Sequence, residues 1–586
     1  MKKILSIALF CGIAFAANAV PAKPGWQTYA QADGTTIELM VFGDEYYHYM
    51  INREGKQVRE VDGMYEVVGE APTPEVAKAR HAKAQARRQR QGVGLTPNLA
   101  PKGVVIVANF KDSKLQSSHT QAVFDELCNS LNCTVNGGYP SAGQYFADQS
   151  NGTYRPQFDV FGPVTLSRNV SYYGGDTDAS DPGSDAHATD AAVEACRLAD
   201  QQFTINWSDY DSDNDGYIDF VYLIYAGKGQ ANGGSTNTIW PHNWNVESAR
   251  YYGMCTYSES ECIVGGVTIN NYACSAELDG GNSLCGIGTL CHEFGHVMGL
   301  PDLYDINYGS IYYSHVTPND WNIMDAGSYN GNGHCPPNYD PWQKDFFGWL
   351  KPINLGNKGA YVELKANGSE GFQTYQINAS GSYVKPTTAG LRYYIENRQQ
   401  QGWDEPLTGH GMLLWKITYN SDAWQSNSPN ESSTYGAPLH TIVSATGTTV
   451  GSYADDYYSY HDDCPKNPFP GTGKKSSYTD ISGKPLLNIK ESNKIITLTY
   501  IEEPAPETYK VTWMVNGEVL ETQDYALDGS QKLVLPTNTV IPCSGTSFIG
   551  WTEIEEWSDP FEVPADLFTT ATGKVTRDVV YYAVFE

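Results

Sequence analysis

The stretch Cys291-His-Glu-Phe-Gly-His-Val-Met-Gly-Leu-Pro-Asp-Leu-Tyr-Asp305 decides how the chain is read. His292 and His296 are four residues apart, so on a helix their imidazoles share one face, one turn apart, where both can reach a single zinc ion. Glu293 follows the first histidine, and its carboxylate can lie beside the metal without ligating it, close enough to take a proton from water there. Gly299 can adopt a backbone conformation closed to other residues and stop the helix, after which Leu300-Pro301 sets an extended segment that returns Asp302 to the metal. The pattern H-E-x-x-H-x-x-G-x-x-D thus predicts zinc ligands His292, His296 and Asp302, with Glu293 as general base. An anionic third ligand lowers the net charge at the metal and leaves more of the proton transfer to Glu293.

A second signature follows in Trp321-Asn-Ile-Met-Asp-Ala-Gly-Ser-Tyr329, where Met324 is placed for a tight turn beneath the metal. The two halves together are the metzincin layout, with Asp where His is commoner. Tyr329, just past that turn, reads either as a hydrogen-bond donor to a reaction oxyanion or as a packing aromatic. Upstream, Asp209-Tyr-Asp-Ser-Asp-Asn-Asp-Gly-Tyr-Ile-Asp219 resembles a calcium loop. Counted from Asp211, carboxylates fall at positions one, three, five and nine, with Gly at six. Position twelve is Tyr222 instead of a bidentate Glu, so the expectation is structural calcium held by Asp211, Asp213, Asp215, Tyr217 and Asp219, with further ligands from elsewhere.

Around this centre the pattern is mixed: a buried strand (103–108), helices at 119–131, 186–203 and 283–299, and a strong strand at 217–226. From 351 to 503 the helical pattern fades and short strands between Gly, Asn and Ser turns take over. The expected fold class is multidomain α+β. A mixed α/β catalytic domain (100–350) with an active-site helix is followed by a β-rich region (351–503) and a small all-β module (508–586) after the Pro-containing linker 502–507; the family resemblance described below implies a metzincin-like fold for the first and a β-sandwich for the second. Residues 20–77 read as a small domain of strand-like pieces, and 20–92 as the propeptide that the family resemblance described below implies. A basic stretch follows, with Lys78, Arg80, Lys83, Arg87, Arg88 and Arg90, that suits a processing linker, a solvated helix face or an anionic-surface patch.

The first residues carry two lysines, an apolar run from Ile4 to Ala17 and the small-residue site Ala17-Asn-Ala19, the layout of a secretory signal peptide cleaved after Ala19. The run is too short for a spanning helix, and no later stretch offers one. The 586 residues carry 38 basic and 67 acidic side chains, a net −29 that disfavours nucleic-acid binding. Without Cys11 eleven cysteines remain, an odd number. Cys128 with Cys133 and Cys255 with Cys262 are near enough in sequence to close short loops, but pairing is not legible from spacing.

On these residues the chain resembles the immune inhibitor A family of secreted bacterial zinc metalloproteases. The likeness runs through VVIVANFKD (104–112), DYDSDNDGYIDFVYLIYAGKGQ (209–230), IWPH (239–242), HEFGHVMGLPDLYD (292–305), WNIMDAGSYNG (321–331), IENRQQQGWDEPLTGHGMLLWKI (395–417) and NPFPG (467–471). The resemblance implies secreted endopeptidase activity on proteins or peptides, catalytic zinc, calcium-stabilised structure and synthesis as a zymogen. The segment 42–63 is similar to the propeptides of such enzymes, and Asp44, Glu45 and His48 stand as unranked candidates for holding the zinc in a latent state. A cysteine switch is excluded, since 20–127 holds no cysteine. The module 508–586 is similar to internalin-type β repeats and implies cell-surface or substrate contact. The rival reading is a calcium-stabilised surface-binding protein with an inactive metalloprotease domain.

Overall fold

The computed structural model describes residues 20–73, 76–77, 79–80, 97–176, 185–304, 317–431, 437–446, 464–501, 508–527, 529–540, 544–555 and 563–586. The signal-peptide stretch, the basic residues Lys78, Lys83, Arg87, Arg88 and Arg90, Asp305 and Cys543 lie outside the described residues.

In the strand Lys102–Asn109, Val104 to Ala108 are all fully buried. A run with no polar alternation suits a parallel strand covered on both faces. It sits second in a five-stranded sheet ordered Gln157–Thr165, Lys102–Asn109, Val221–Lys228, Asn271–Leu278 and His242–Asn245. The first four strands are parallel and His242–Asn245 is antiparallel. Val104, Ile106 and Ala108 share a core with Ala191, Ala192, Ala195 and Ala199 of the helix Ala188–Gln202, whose small side chains let it lie close to the sheet. Val105 and Val107 belong to the other core, with Phe124 and Leu127 of Gln121–Asn129, Tyr145 and Phe146 of Ala142–Gln149, and Leu290 and Phe294 of Gly288–Val297. Phe294 meets the rings of Phe146, Phe158 and Phe220 at 5.2, 5.2 and 5.1 Å, which anchors the helix Gly288–Val297 to the sheet.

Two element boundaries move for physical reasons. The strand expected at 217–226 begins at Val221, because Ile218 and Asp219 first close the acidic loop through bonds to Thr268 and Tyr210 carbonyls. The helix expected at 283–299 begins at Gly288. A Cβ on Gly286 would lie 2.2 Å from the Gly333 carbonyl oxygen, and one on Gly288 1.9 Å from that of Ser328, so the entry is pressed against 326–333.

The same core continues into a sheet ordered Ile353–Asn354, Tyr375–Asn378, Gly390–Arg398, Gly411–Tyr419 and His440–Ile442. Its Tyr394, Leu413, Trp415 and Ile417 join Trp342 and Met324 in one cluster. Arg398 is fully buried there, its guanidinium 2.9 Å from both Glu396 and Asp404. At the N-terminus, Gln27–Ala30, Thr36–Gly43, His48–Ile51, Lys56–Val61 and Met64–Glu70 form an antiparallel meander. Its Leu39, Val41, Met50 and Val58 pack with Val20, Ala22, Ala231 and Trp240.

Residues 20–358 together with Val362–Thr497 make one compact unit, and Gly359–Tyr361 with Leu498–Glu586 make a second. Within the second, Glu518–Ala526, Thr508–Val515, Val579–Phe585 and Phe548–Thr552 pair in that order over a small core in which Trp513 and Trp551 meet at 4.7 Å.

Candidate metal centre

The helix Gly288–Val297 ends as the glycine after it requires. Gly299 takes φ +102°, its N–H donates to the His296 carbonyl at 2.9 Å, and the Leu300 N–H donates to the Gly295 carbonyl at 3.0 Å. This pair of bonds is a Schellman turn, and it needs a residue free of the Cβ penalty at that position. The chain then turns back so that Asp302 faces the two histidines.

His292 Nε2, His296 Nε2 and Asp302 Oδ1 stand 3.1, 3.2 and 3.3 Å apart, all deeply buried. Tetrahedral zinc with bonds of about 2.0–2.1 Å places its ligand atoms ~3.3 Å apart. The hydrogen bonds behind the ligands fix their protonation. His292 Nδ1 lies 2.6 Å from the Ile323 carbonyl and His296 Nδ1 2.8 Å from the Leu300 carbonyl, so each Nδ1 carries the proton and each Nε2 presents a lone pair. Asp302 Oδ1 is buried with no hydrogen-bond donor. Three buried acceptors therefore face one another with no proton to share, an arrangement that a cation satisfies. The donor set, two neutral imidazoles and a carboxylate, fits zinc.

Asp302 is held from far along the chain. Its Oδ2 accepts from Asn427 Nδ2 at 2.6 Å, and its N–H donates to Asn427 Oδ1 at 2.7 Å. Asn430 Nδ2 bonds the Leu303 carbonyl. Glu293 is fully buried and neither of its oxygens has a close hydrogen-bond partner. Burial pushes its carboxyl well above the usual range, and the neighbouring Asp302 and Glu45 add to the rise.

Met324 lies beneath the helix, fully buried, and a Cβ on Gly295 would come within 2.7 Å of its sulfur. The Met324 carbonyl accepts from the Leu303 N–H at 2.7 Å, while the preceding Ile323 carbonyl orients His292, so this turn ties His292 to the segment that carries Asp302. Tyr329 donates its hydroxyl to the Pro21 carbonyl at 2.7 Å. Among the latency candidates, Asp44 is engaged by the backbone amides of Tyr46 and Tyr47, and His48 stacks on Trp240 at 4.4 Å. Glu45 is buried near enough to Glu293 for its charge to be felt.

In the acidic loop, Asp211, Asp213 and Asp215 bring carboxylate oxygens within 4.8 Å of one another. Asp211 accepts from the Asp215 and Gly216 amides, Asp215 from the Tyr217 amide, and Asp219 from that of Ser212, so the loop folds around its own carboxylates. Asp219 stands outside that trio, and the side chain of Tyr217 is partly exposed, leaving its backbone carbonyl as the ligand it would offer. Among the described residues ten cysteines are free thiols, and Cys255 and Cys262 meet thiol to thiol.

Sequence reasoning missed Asn427 and Asn430, which sit in a polar turn more than a hundred residues from the motif. It also missed Trp240, which stacks on His48 and packs with Val20. The polar run Ser426-Asn-Ser-Pro-Asn430 carries a turn signal, but nothing local to it points to a partner.

Residues 106–351 match the family model described as immune inhibitor A peptidase M6, catalytic domain, so this stretch carries a domain of a zinc metalloendopeptidase family. Two curated relatives are similar. Immune inhibitor A of Bacillus thuringiensis subsp. alesti is 30% identical over 254 residues, which cover 40% of this chain and 35% of that protein. The pre-pro-metalloprotease PrtV of Vibrio cholerae serotype O1 (strain M66-2) is 26% identical over 270 residues, 40% of this chain and 28% of the other. The chain thus spans about a third of the length of the curated relatives it matches.

Proposed function

We propose that the chain is a secreted zinc endopeptidase that hydrolyses extracellular polypeptides and is made as a precursor. The observation that carries this reading is the convergence of His292, His296 and Asp302 on one point, with the buried carboxylate of Glu293 on the same helix. Zinc, when bound there, supplies Lewis acidity that activates water and polarises a peptide carbonyl. Glu293 takes the proton from the attacking water and hands it to the amine that leaves. The buried setting of Glu293 raises its proton affinity, which suits a group that must accept and then release a proton. Tyr329, whose hydroxyl donates to the Pro21 carbonyl, serves in this reading as a donor to substrate oxygen.

In this reading residues 20–92 are the propeptide, 100–350 the metzincin-like catalytic domain, 351–503 a β-sandwich, and 508–586 a surface-contact module. Calcium at Asp211, Asp213 and Asp215, with Asp219 and the Tyr217 carbonyl, stabilises the fold. Among the described residues no helix is long and apolar enough to cross a membrane. A surface-binding protein with a dead catalytic domain would have no use for an intact Glu293. The test is the processed, zinc-loaded protein against an unfolded protein substrate. Glu293→Ala should retain one zinc per chain and lose turnover by about 10²–10⁴-fold, and equal turnover in the variant would overturn the reading.

A further inference from the structure

The N-terminal residues of the described chain, Val20 to Lys23, pack against Trp240, Tyr329 and Ala231. Val20 is fully buried, and its backbone N–H approaches the Glu293 carboxylate. Its carbonyl accepts from Trp240 Nε1 at 3.2 Å, and the Pro21 carbonyl accepts from the Tyr329 hydroxyl at 2.7 Å. The Lys23 N–H donates to the Ala231 carbonyl at 2.9 Å, and the Ala22 N–H to the Gly43 carbonyl of its own meander at 2.9 Å. The Val20 side chain packs with Ala231 and Trp240. The segment is therefore gripped by its main chain, starting at the proposed base and running outward.

In peptide hydrolysis the base returns its proton to the nitrogen on the C-terminal side of the cut. A residue whose nitrogen faces Glu293 stands where the first leaving-group residue stands, and the residues after it lie along the leaving-group side. We infer that Val20-Pro21-Ala22-Lys23 occupies that side of the cleft as a product-like ligand, and that cleavage after Ala19 provides it with an α-ammonium group to pair with Glu293. Trp240, Tyr329 and the Ala231 carbonyl are then the groups that bind the main chain of any polypeptide on this side, and the cleft favours a small branched apolar residue just after the cut. The inference rests on the endopeptidase reading. It differs from latency through Asp44 or His48, which are engaged elsewhere. An ammonium group beside Glu293 ties up the proton acceptor, so the precursor is quiet until the meander and its leading residues are removed.

The test uses the full-length secreted chain, its N-terminus read by mass spectrometry, beside Val20→Arg, whose long cation has no room in the buried position. Hydrogen exchange should show the Lys23 amide losing at least tenfold in protection in the variant, with turnover of a fluorogenic peptide rising at least tenfold. The heptapeptide Val-Pro-Ala-Lys-Pro-Gly-Trp, titrated by calorimetry into the Val20→Arg protein, should bind at least tenfold more tightly with a free α-amine than when acetylated. Unchanged protection at Lys23, protection lost with no rise in turnover, or equal binding of the two peptides would overturn the inference. Absence of turnover in every form, including protein freed of 20–92, would sink the endopeptidase reading instead, while exchange and peptide binding would still report on the segment.

Discussion

Asn427 offers the sharpest test of how the third ligand is held. It is the one side chain that bonds both the carboxylate and the amide of Asp302, at 2.6 and 2.7 Å, among the described residues. A hydrogen bond to a charged group is worth about 1.5–3 kcal/mol and a neutral one about 1 kcal/mol. Asn427 also sits at φ +53°, where alanine carries a penalty of about 1–2 kcal/mol and glycine does not. Asn427→Gly therefore removes both bonds without backbone strain. Loss of a group behind a metal ligand typically weakens metal binding by about 10–100-fold, or ~1.4–2.8 kcal/mol. The expected result for Asn427→Gly is a zinc affinity lower by that factor, measured by competition with a chromogenic chelator on zinc-free protein. Asn427→Ala should show the same affinity loss and an additional fall in stability of about 1 kcal/mol in urea titrations. Asn427→Asp sets a second carboxylate against Asp302 and should lose stability beyond the glycine variant in zinc-free protein. Zinc affinity for Asn427→Gly within twofold of the parent would refute the reasoning.

Three other substitutions probe the surroundings. Gly295→Ala drives a methyl within 2.7 Å of the Met324 sulfur and should cost about 1–3 kcal/mol in urea titrations, with zinc affinity falling as the adjoining Ile323 carbonyl moves off His292; unchanged stability would show that the turn yields freely. Burial raises the Asp325 carboxyl from 3.8 to about 6 against the opposing bonds from the Asn319 and Ala326 amides. A carboxyl that binds its proton more tightly when folded favours folding at low pH, and that contribution is lost as pH rises through about 6. Relative to Asp325→Asn, the parent should thus lose on the order of 3 kcal/mol between pH 3.8 and pH 6, and a constant difference between the two across that window would exclude it. Calcium at a hundredfold its dissociation constant adds about 2.7 kcal/mol, so chelation should lower the melting temperature of the parent and leave that of Asp213→Asn unmoved; equal shifts would place the ion elsewhere.

How much of this was legible in the sequence follows from distance along the chain. His292, Glu293 and His296 lie on one helical turn, and Gly299 with Leu300-Pro301 shapes the short return to Asp302. Their convergence is a matter of local periodicity and one left-handed residue. The buried strand at Val104–Ala108 and the alanine-rich helix Ala188–Gln202 were legible for the same reason: each bears its burial pattern in consecutive residues. The helix Ala142–Gln149 and the short strand His242–Asn245 were not, since each is too brief to show a period and is held by neighbours distant in sequence. The same holds for Asn427, Trp240 and the course of Val20, where everything depends on a tertiary approach that no spacing encodes. The metal-facing protonation of the histidines also had no signal, because it is set by the carbonyls of Ile323 and Leu300.

The clasp on Asp302 has a consequence for biosynthesis. A ribosome that has reached Leu350 has already made His292, Glu293, His296 and Asp302, yet 77 more residues must emerge before Asn427 exists. The proposed metal-binding residues are thus spelled out early and braced late, and a nascent or prematurely terminated polypeptide would carry the full signature with Asp302 unsecured. Zinc affinity of such a chain would report whether translation has passed Asn427, between the strands Gly411–Tyr419 and His440–Ile442.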